Sequence, residues 1–266
     1  MLIVDNITVE YDGVPVLEDF SLELGAGQVV CLVGESGSGK TTVIRAILGL
    51  LPEGGAVVKG DILLDGRSLL TCPKKDLIEM RGRDITMIFQ DSGAMIDPTS
   101  TIGSQFIEYI RTHEKGMGRK EAYRLAAKML TQMRLPDADN VMHSYPFQLS
   151  GGMRQRVGIA MAMTFSPRLL LADEPTSALD VTTQAQIIRQ MMEMHANYQT
   201  SIIIVTHNLG VAAYMSDLSD KILVMKNGRV VEQGNRDRIL RHPHQAYTQE
   251  LLAAIPTMDG EVYVSQ

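Results

Sequence analysis

The chain has 266 residues, of which 45% are hydrophobic and 21% are charged, and its formal net charge is −6. These proportions are typical of a soluble globular protein with a sizeable core, and the acidic balance argues against general electrostatic binding to nucleic acid. No apolar run is long enough to span a bilayer, and the first residues do not resemble a signal peptide. Two cysteines are too few for a disulfide framework or a metal cluster. We therefore expect a cytosolic protein.

The first third of the chain predicts two kinds of strand. Residues 1–30 alternate apolar and polar side chains between glycines, which indicates antiparallel strands joined by tight turns. Residues 29–33 form a continuous apolar run, as expected of a strand buried on both faces. The amphipathic helix that follows ends near Gly49, residues 56–70 return to strand alternation, and residues 85–89 form another short strand.

The middle of the chain changes from alternating strands and helices to helices alone, and the alternation then resumes. Residues 103–133 have helical periodicity, which predicts an inserted helical subdomain over about residues 91–156. Beyond it, residues 169–172 and 202–205 are predicted to be buried strands, and residues 184–194 an amphipathic helix between them. Such alternation of strands and helices indicates a mainly parallel sheet.

Two features close the chain. Asn227-Gly228 lies between short apolar runs and predicts a β-hairpin. From about residue 236 onwards we expect a polar helical tail.

The segment from Gly34 to Thr41 reads Gly-Glu-Ser-Gly-Ser-Gly-Lys-Thr between the predicted strand and helix. In that context it predicts a phosphate-binding loop, because glycines let backbone N–H groups converge on phosphate oxygens and the helix N-terminus adds positive charge. We expect Lys40 to reach the β- and γ-phosphates and the Thr41 hydroxyl to coordinate Mg²⁺. The alternative is a glycine-rich turn that binds nothing. The expected nucleotide contacts here are Gly34, Ser36, Gly37, Ser38, Gly39, Lys40, Thr41 and Thr42.

This loop predicts an α/β fold of the P-loop NTPase class. We expect a mixed central sheet, an N-terminal antiparallel β-subdomain and the inserted helical subdomain.

An acidic pair ends the strand predicted over residues 169–172. Asp173 follows the apolar run at its carboxyl end, where ligands bind in sheets of this kind, and is expected to hold Mg²⁺ largely through water. Glu174 comes next and is positioned to accept a proton from an attacking water. The alternative is an acidic first turn of a helix before Pro175.

The segment from Leu149 to Arg156, Leu-Ser-Gly-Gly-Met-Arg-Gln-Arg, resembles the signature of the ATP-binding cassette (ABC) ATPases. A serine and paired glycines before a helix form a second anion-binding helix N-terminus. The resemblance implies that Ser150, Gly151 and Gly152 cap the γ-phosphate of ATP held by a partner cassette. It also implies ATP and Mg²⁺ as ligands. The alternative is a simple helix N-cap at Ser150.

Four further positions match the family. The resemblance implies that Tyr11 stacks on adenine and that Gln90 touches both the metal and the attacking water. It implies that the loop from Ser177 to Asp180, with Asp180 as a nucleotide contact, crosses between two cassettes. His207 resembles the histidine that contacts the γ-phosphate and orients the base Glu174. Tyr11, Gln90 and His207 each also have a structural alternative, as a packing or strand-ending side chain.

Two stretches narrow the resemblance to importers of oligopeptides, dipeptides and nickel. They are residues 88–103 and the tail segment 242–252, with residues 145–148 in agreement. We expect a cassette over residues 1–235 and a tail of this importer type over residues 236–266.

Two departures from that importer group are visible. Ser92-Gly93-Ala94 replaces a proline-containing sequence, and no cysteine follows Cys72, so the metal-cluster tail of longer members is not carried over. The short tail favours nickel or metal-chelate transport.

The expected function is ATP hydrolysis coupled to solute uptake, at the cytoplasmic face of the cell membrane. The resemblance implies two multi-span membrane permease subunits, a second cassette of the same or a different chain, and indirectly an extracytoplasmic solute-binding protein. No nucleic acid partner is expected. The alternative is a non-transport ABC ATPase acting on a soluble nucleoprotein, whereas a P-loop kinase would leave residues 150–152 without a role. The solute and the pairing of the cassettes stay open.

Overall fold

The computed structural model describes residues 1–90, 95–177, 179–207, 209–215 and 221–254. They divide into two compact units, the first Met1–Ile78 with Ser201–Gln266 and the second Glu79–Thr200. The segment from Ser92 to Ala94, Ala178 in the loop before Asp180, and the tail beyond residue 254 lie outside the described residues. Within the described ranges, no helix is both long enough and apolar enough to cross a membrane.

Strands and helices alternate over much of the chain. The strands are β1 (Leu2–Tyr11), β2 (Val14–Leu24), β3 (Val29–Val33), β4 (Gly55–Leu64), β5 (Arg67–Ser68), β6 (Ile85–Ile88), β7 (Leu169–Asp173), β8 (Ser201–Thr206), β9 (Lys221–Lys226) and β10 (Arg229–Gly234). The helices are α1 (Lys40–Leu48), α2 (Lys74–Met80), α3 (Ile102–His113), α4 (Arg119–Gln132), α5 (Ala138–His143), α6 (Gly151–Met163), α7 (Val181–Tyr198), α8 (Leu209–Met215) and α9 (Ala246–Ala253). A 3₁₀ turn at Pro146–Gln148 and a π-helical turn at Asp237–Arg241 complete them.

In the first unit, the N-terminal strands form an antiparallel sheet in the order β2-β1-β4-β5. The central strand β1 pairs with β2 and β4, so that Tyr11 lies opposite both Val14 and Gly55. One face of β1 is buried, as its alternation of apolar residues predicts. The predicted antiparallel β-subdomain is confirmed by this register.

A second sheet in the first unit carries strand β3 between β8 and β9, both parallel to it. Strand β10 pairs antiparallel with β9, which makes this sheet mixed. Their connecting turn is Asn227-Gly228, with φ angles of 48° and 76°, as a tight hairpin of this kind requires. The predicted hairpin is confirmed.

The segment after β10 is helical at Asp237–Arg241 and Ala246–Ala253, as the sequence predicted, but it is not polar on every face. Ile239 is fully buried and Tyr247 is 7% exposed, and both pack with Cys31 and Val33 of β3 in one apolar cluster. The sequence analysis missed this buried face because one apolar side chain per helical turn suffices to bury one face of a helix whose opposite face is polar. Cys31 itself is fully buried, which raises the pKa of its thiol to about 12.

The second unit contains the parallel pair β6–β7, with Ile85 opposite Leu169, and helices α3 to α7. The helical stretch predicted over residues 103–133 is divided into α3 and α4, which pack against each other. The break contains Gly116 and Gly118, and Gly118 caps α4. Glycine lowers helix propensity, which explains the break. The sequence analysis missed it because the residues on both sides have helical apolar spacing.

Candidate nucleotide-binding and hydrolysis site

A glycine-rich loop joins strand β3 to helix α1. Every side chain of β3 is buried, and the chain leaves the sheet at Gly34 and enters the helix at Lys40. A Cβ atom on Gly34 would lie 2.2 Å from the carbonyl oxygen of Met225, and Gly39 caps the helix with a φ of 99°. A side chain would clash at the first position and be strained at the second. The conformation of the loop therefore depends on glycine at both.

The ammonium group of Lys40 is folded back into this loop. Its Nζ donates hydrogen bonds to the carbonyl oxygens of Gly34 and Glu35, both at 2.7 Å, and to Ser38 Oγ at 3.2 Å. Lys40 is 5% exposed. A buried cation is costly unless acceptors surround it, so the loop is built to hold a positive charge at its centre.

The other predicted contacts occupy the same loop and the first turn of α1. Ser36 and Gly37 are exposed at the tip, whereas Ser38 is buried. Thr41 is half-buried and Thr42 buried. The loop thus presents backbone at its tip and hydroxyl groups at a helix N-terminus, an arrangement suited to binding an anion.

Tyr11 and His207 also belong to the first unit. Tyr11 ends β1, and its ring lies so close to Gly55 that a Cβ atom there would be 2.6 Å from the ring carbon Cε1. The absence of a side chain at Gly55 therefore makes room for the ring. His207 follows the last residue of the fully buried strand β8 and is exposed. Its backbone position at a strand end is the one predicted.

In the second unit, strand β7 delivers the acidic pair. All five residues of β7 are buried, and Asp173, its last residue, is 8% exposed. Glu174 follows with a φ of 46°, a left-handed conformation that is uncommon for residues other than glycine and tends to occur at functional sites. Gln90 Nε2 donates a hydrogen bond of 3.3 Å to Glu174 Oε2. The structure therefore brings together two of the predicted catalytic residues.

The turn after Glu174 is held by glutamines that the sequence analysis did not identify. Gln155, on helix α6 and 5% exposed, donates from Nε2 to the Pro175 carbonyl at 2.6 Å. Gln184, on helix α7, donates to the carbonyls of Thr176 and Leu179. A sequence signal did exist for Gln155, since it precedes Ile159 by four residues and so lies on the apolar stripe of its helix.

Helix α6 begins at the signature. Ser150 caps the helix by accepting the Met153 N–H at 3.3 Å, and Gly151 is exposed at the first turn. Asp180 caps the neighbouring helix α7 by accepting the N–H and hydroxyl of Thr183, and these hydrogen bonds lower the pKa of its carboxyl. The N-cap alternative is thus observed at Ser150, and Asp180 is found to cap a helix as well. Helix capping is compatible with the predicted nucleotide contacts of Ser150 and Asp180, because capping uses only one face of a short polar side chain.

The two units each hold part of the predicted site. The first unit contains a cradle for an anion that surrounds a lysine, and the second contains a carboxylate pair with an amide beside it. A cation, helix N-termini and oxygen ligands are the groups that phosphoryl transfer uses.

The fold is that of an ATP-binding cassette. The structure matches the dimeric cassette MJ0796 in a post-hydrolysis state bound to ADP and Pi with a TM-score of 0.77 at 26% identity, covering 89% of this chain and 99% of that one. It matches cbiO1 from Clostridium perfringens, part of the ABC transporter complex cbiONQ, with a TM-score of 0.76 at 26% identity, over 90% and 89% of the two chains. These likenesses confirm the predicted P-loop NTPase class.

Sequence comparison gives the family. The ABC transporter family model matches residues 17–177. The dipeptide transport ATP-binding protein DppD of Lactococcus lactis is 41% identical over 94% of this chain and 70% of its own length. The oligopeptide transport ATP-binding protein OppD of Haemophilus influenzae is 42% identical over 98% of this chain and 80% of its own length. The chain belongs to the ABC transporter family, and it is an ATPase coupled to transport that binds ATP.

Proposed function

We propose that this chain is the ATP-hydrolysing subunit of an importer for dipeptides or oligopeptides. The proposal rests on sequence identity. About two residues in five, over nearly the whole chain, are identical to those of proteins named for peptide transport in Lactococcus lactis, Haemophilus influenzae and Escherichia coli. Nickel or metal-chelate uptake is the other solute class, and these peptide-transport relatives do not favour it. Nor do they favour the nucleoprotein-directed ATPase.

Binding of ATP is assigned to the first unit. The backbone amides of the glycine-rich loop receive the phosphates, and the Lys40 ammonium, already held among loop oxygens, neutralises their charge. Thr41 and Thr42 contribute from the first turn of α1. Tyr11, which is half-buried at the end of β1, stacks on adenine.

Hydrolysis is assigned to the acidic pair and its neighbours. Glu174 accepts the proton of the attacking water while the water oxygen bonds to the γ-phosphorus and the bond to the β-phosphate oxygen breaks. Gln90, which already donates to Glu174, orients that water. His207 contacts the γ-phosphate and keeps the base in place.

Magnesium fits the residues assigned to it. Mg²⁺ prefers oxygen ligands and keeps several waters, so that one or two protein groups beside the phosphates suffice. Thr41, Gln90 and Asp173 offer a hydroxyl, an amide oxygen and a carboxylate. Among the described residues, no cluster of three or more carboxylate, histidine or cysteine side chains forms a cage of its own. When bound, the ion neutralises charge on the phosphates.

A second cassette completes each nucleotide site. Ser150, Gly151 and Gly152 at the start of α6 cap the γ-phosphate held by the partner cassette, and Asp180 lies in the loop that crosses to it. The partner is either a second copy or a different chain. The cassette comprises residues 1–235 with the helical insert at about 91–156, and residues 236–266 form its tail.

The membrane partners are two multi-span permease subunits, with a solute-binding protein acting indirectly from outside. The chain would then lie at the cytoplasmic face of the membrane. A groove of about 680 Å³ in the second unit supports this proposal. It is lined by Ile107, Met142 and Tyr123 together with the cationic side chains of Arg119, Lys120 and Arg124. Such a groove suits a short permease helix.

The test is purification of the tagged chain from detergent-solubilised membranes, with co-purifying proteins identified by mass spectrometry. The purified complex is then placed in vesicles with internal ATP, and uptake of a labelled dipeptide, a labelled pentapeptide and Ni²⁺ is measured. Glu174→Gln in the same complex is the matched control for ATP-driven uptake.

Recovery of two multi-span proteins and ATP-dependent peptide uptake would support the proposal. Uptake of Ni²⁺ alone would replace peptide by metal as the solute. Recovery of ribosomal or DNA-repair proteins without membrane subunits would overturn the importer proposal and leave the ATPase.

A further inference from the structure

The segment that follows strand β10 is part of the core beneath the phosphate loop. Ile239 and Tyr247 pack against Cys31 and Val33, which belong to the strand that ends at the loop. The side chain of Tyr247 is thereby placed next to Glu35 of the loop, although the two residues are 212 positions apart in the sequence. This core contact is the first reason to connect the tail with nucleotide binding.

Two further interactions fix the start of helix α9. The Glu232 carboxylate, 6% exposed, accepts the backbone N–H groups of His244 at 2.8 Å and Gln245 at 3.2 Å. Burial works to raise the pKa of Glu232, but the hydrogen bonds outweigh it and lower the pKa. The Lys226 ammonium lies 4.2 Å from the centre of the Tyr247 ring, a favourable cation–π distance. The ring of Tyr247 is therefore held in one place.

The hydroxyl of Tyr247 reaches the backbone of the loop. The N–H of Glu35 donates a hydrogen bond of 3.1 Å to Tyr247 Oη. That N–H and the carbonyl of Gly34 belong to one planar peptide unit and point in opposite directions. The Gly34 carbonyl accepts the hydrogen bond from Lys40 Nζ at 2.7 Å. One rigid group is thus held at one end by the tail and at the other by the lysine.

We propose that Tyr247 is a positioning residue for ATP binding, which fixes the peptide between Gly34 and Glu35 so that its carbonyl holds the Lys40 ammonium inside the phosphate loop. The inference rests on the nucleotide-binding role proposed above for that loop. Tyr247 acts through the peptide unit and not on the reacting atoms.

The consequence is a preorganised lysine. A lysine side chain has several rotatable bonds, and ordering it on binding would weaken the affinity for ATP. When the Gly34–Glu35 peptide unit is free to rotate, its carbonyl faces the Lys40 ammonium for only part of the time. Loss of one neutral hydrogen bond then corresponds to roughly a three- to tenfold weaker affinity for ATP. The rate of the chemical step should change little, since Tyr247 acts on the peptide unit of the loop and not on the reacting atoms.

The experiment measures ATP affinity of the full-length chain by equilibrium dialysis, and KM and kcat for ATP in the purified transporter complex. Tyr247→Phe removes the hydroxyl and keeps the ring. Tyr109→Phe is the matched control, because the hydroxyl of that half-buried tyrosine also bonds to the backbone, where it donates to the Gly82 carbonyl in the second unit. Glu232→Ala loosens the tail and leaves the hydroxyl in place.

The expected result is a three- to tenfold rise in KM and Kd for Tyr247→Phe with kcat within about twofold of the parent. Glu232→Ala should shift KM in the same direction by less, and Tyr109→Phe should leave it unchanged. An unchanged KM in Tyr247→Phe, or an equal rise in Tyr109→Phe, overturns the inference.

Lys40→Ala separates this inference from the proposed function. If Lys40→Ala weakens ATP binding and Tyr247→Phe does not, only the inference fails. If neither variant alters ATP binding, the role proposed for the loop fails as well.

Discussion

Replacing Gln155 by leucine should damage hydrolysis through the turn that follows Glu174. The substitution keeps the volume of the side chain but removes the amide that donates to the Pro175 carbonyl at 2.6 Å. Because Gln155 is 5% exposed and Pro175 is buried, water cannot readily replace the lost donor. The free energy of unfolding should fall by about 1–3 kcal/mol, the cost of leaving a buried acceptor without its partner.

The same change should lower kcat for ATP by about tenfold, which corresponds to about 1.4 kcal/mol of lost transition-state stabilisation. The reason is that Pro175 adjoins Glu174, whose left-handed backbone depends on a well-held turn. The loss of transition-state stabilisation should be smaller than the energy of the Gln155–Pro175 hydrogen bond, since Gln184 and Ser177 still donate to carbonyls of that turn.

The assay combines urea unfolding of the purified chain with the steady-state ATPase rate of the transporter complex at saturating ATP. Thr164→Val is the control, because its buried hydroxyl donates to the Ala160 carbonyl near the other end of the same helix. It should lower stability slightly and leave kcat unchanged. If Gln155→Leu lowers stability while kcat stays that of the parent, the bond is merely structural and the reasoning about the base is refuted.

Three further predictions follow from the site. Glu174→Gln should keep ATP binding, lower turnover by at least about 100-fold and accumulate an ATP-bound dimer visible by gel filtration; undiminished hydrolysis would remove Glu174 as the base. Lys40→Ala should weaken ATP binding at least about tenfold in equilibrium dialysis, because the buried cation at the centre of the loop is lost; an unchanged affinity would contradict the phosphate-loop assignment. Gly34→Ala should lower the free energy of unfolding by about 1–3 kcal/mol, since the new Cβ atom would lie 2.2 Å from the Met225 carbonyl oxygen; an unchanged thermal midpoint would contradict that geometry.

The sequence predicted those parts of the fold whose signals are local. The β-hairpin at Asn227-Gly228 and the buried strand before the phosphate loop depend on neighbouring residues, and the structure has both. The end of α1 at Gly49 was also predicted, and Gly49 caps that helix in a left-handed conformation. Short-range chemistry sufficed for these elements.

Other parts escaped because they depend on residues far apart in the chain. The bond between the Glu35 N–H and Tyr247 joins residues that no periodicity connects. The position of Gln155 on the apolar stripe of its helix indicates burial, but it does not identify the partner, the Pro175 carbonyl, which is 20 residues away. The tail was mistaken for polar because its buried residues are single apolar side chains in a polar stretch.

The burial of Cys31 simplifies the labelling of this protein. A thiol reacts with maleimides and spin labels as the thiolate, and a pKa of about 12 keeps Cys31 protonated and out of reach at neutral pH. Cys72, the other cysteine of the chain, is partly exposed between β5 and α2. A probe applied to the unaltered protein should therefore attach at Cys72 alone. The natural sequence supplies a single-site reporter on the nucleotide-binding unit without an engineered cysteine.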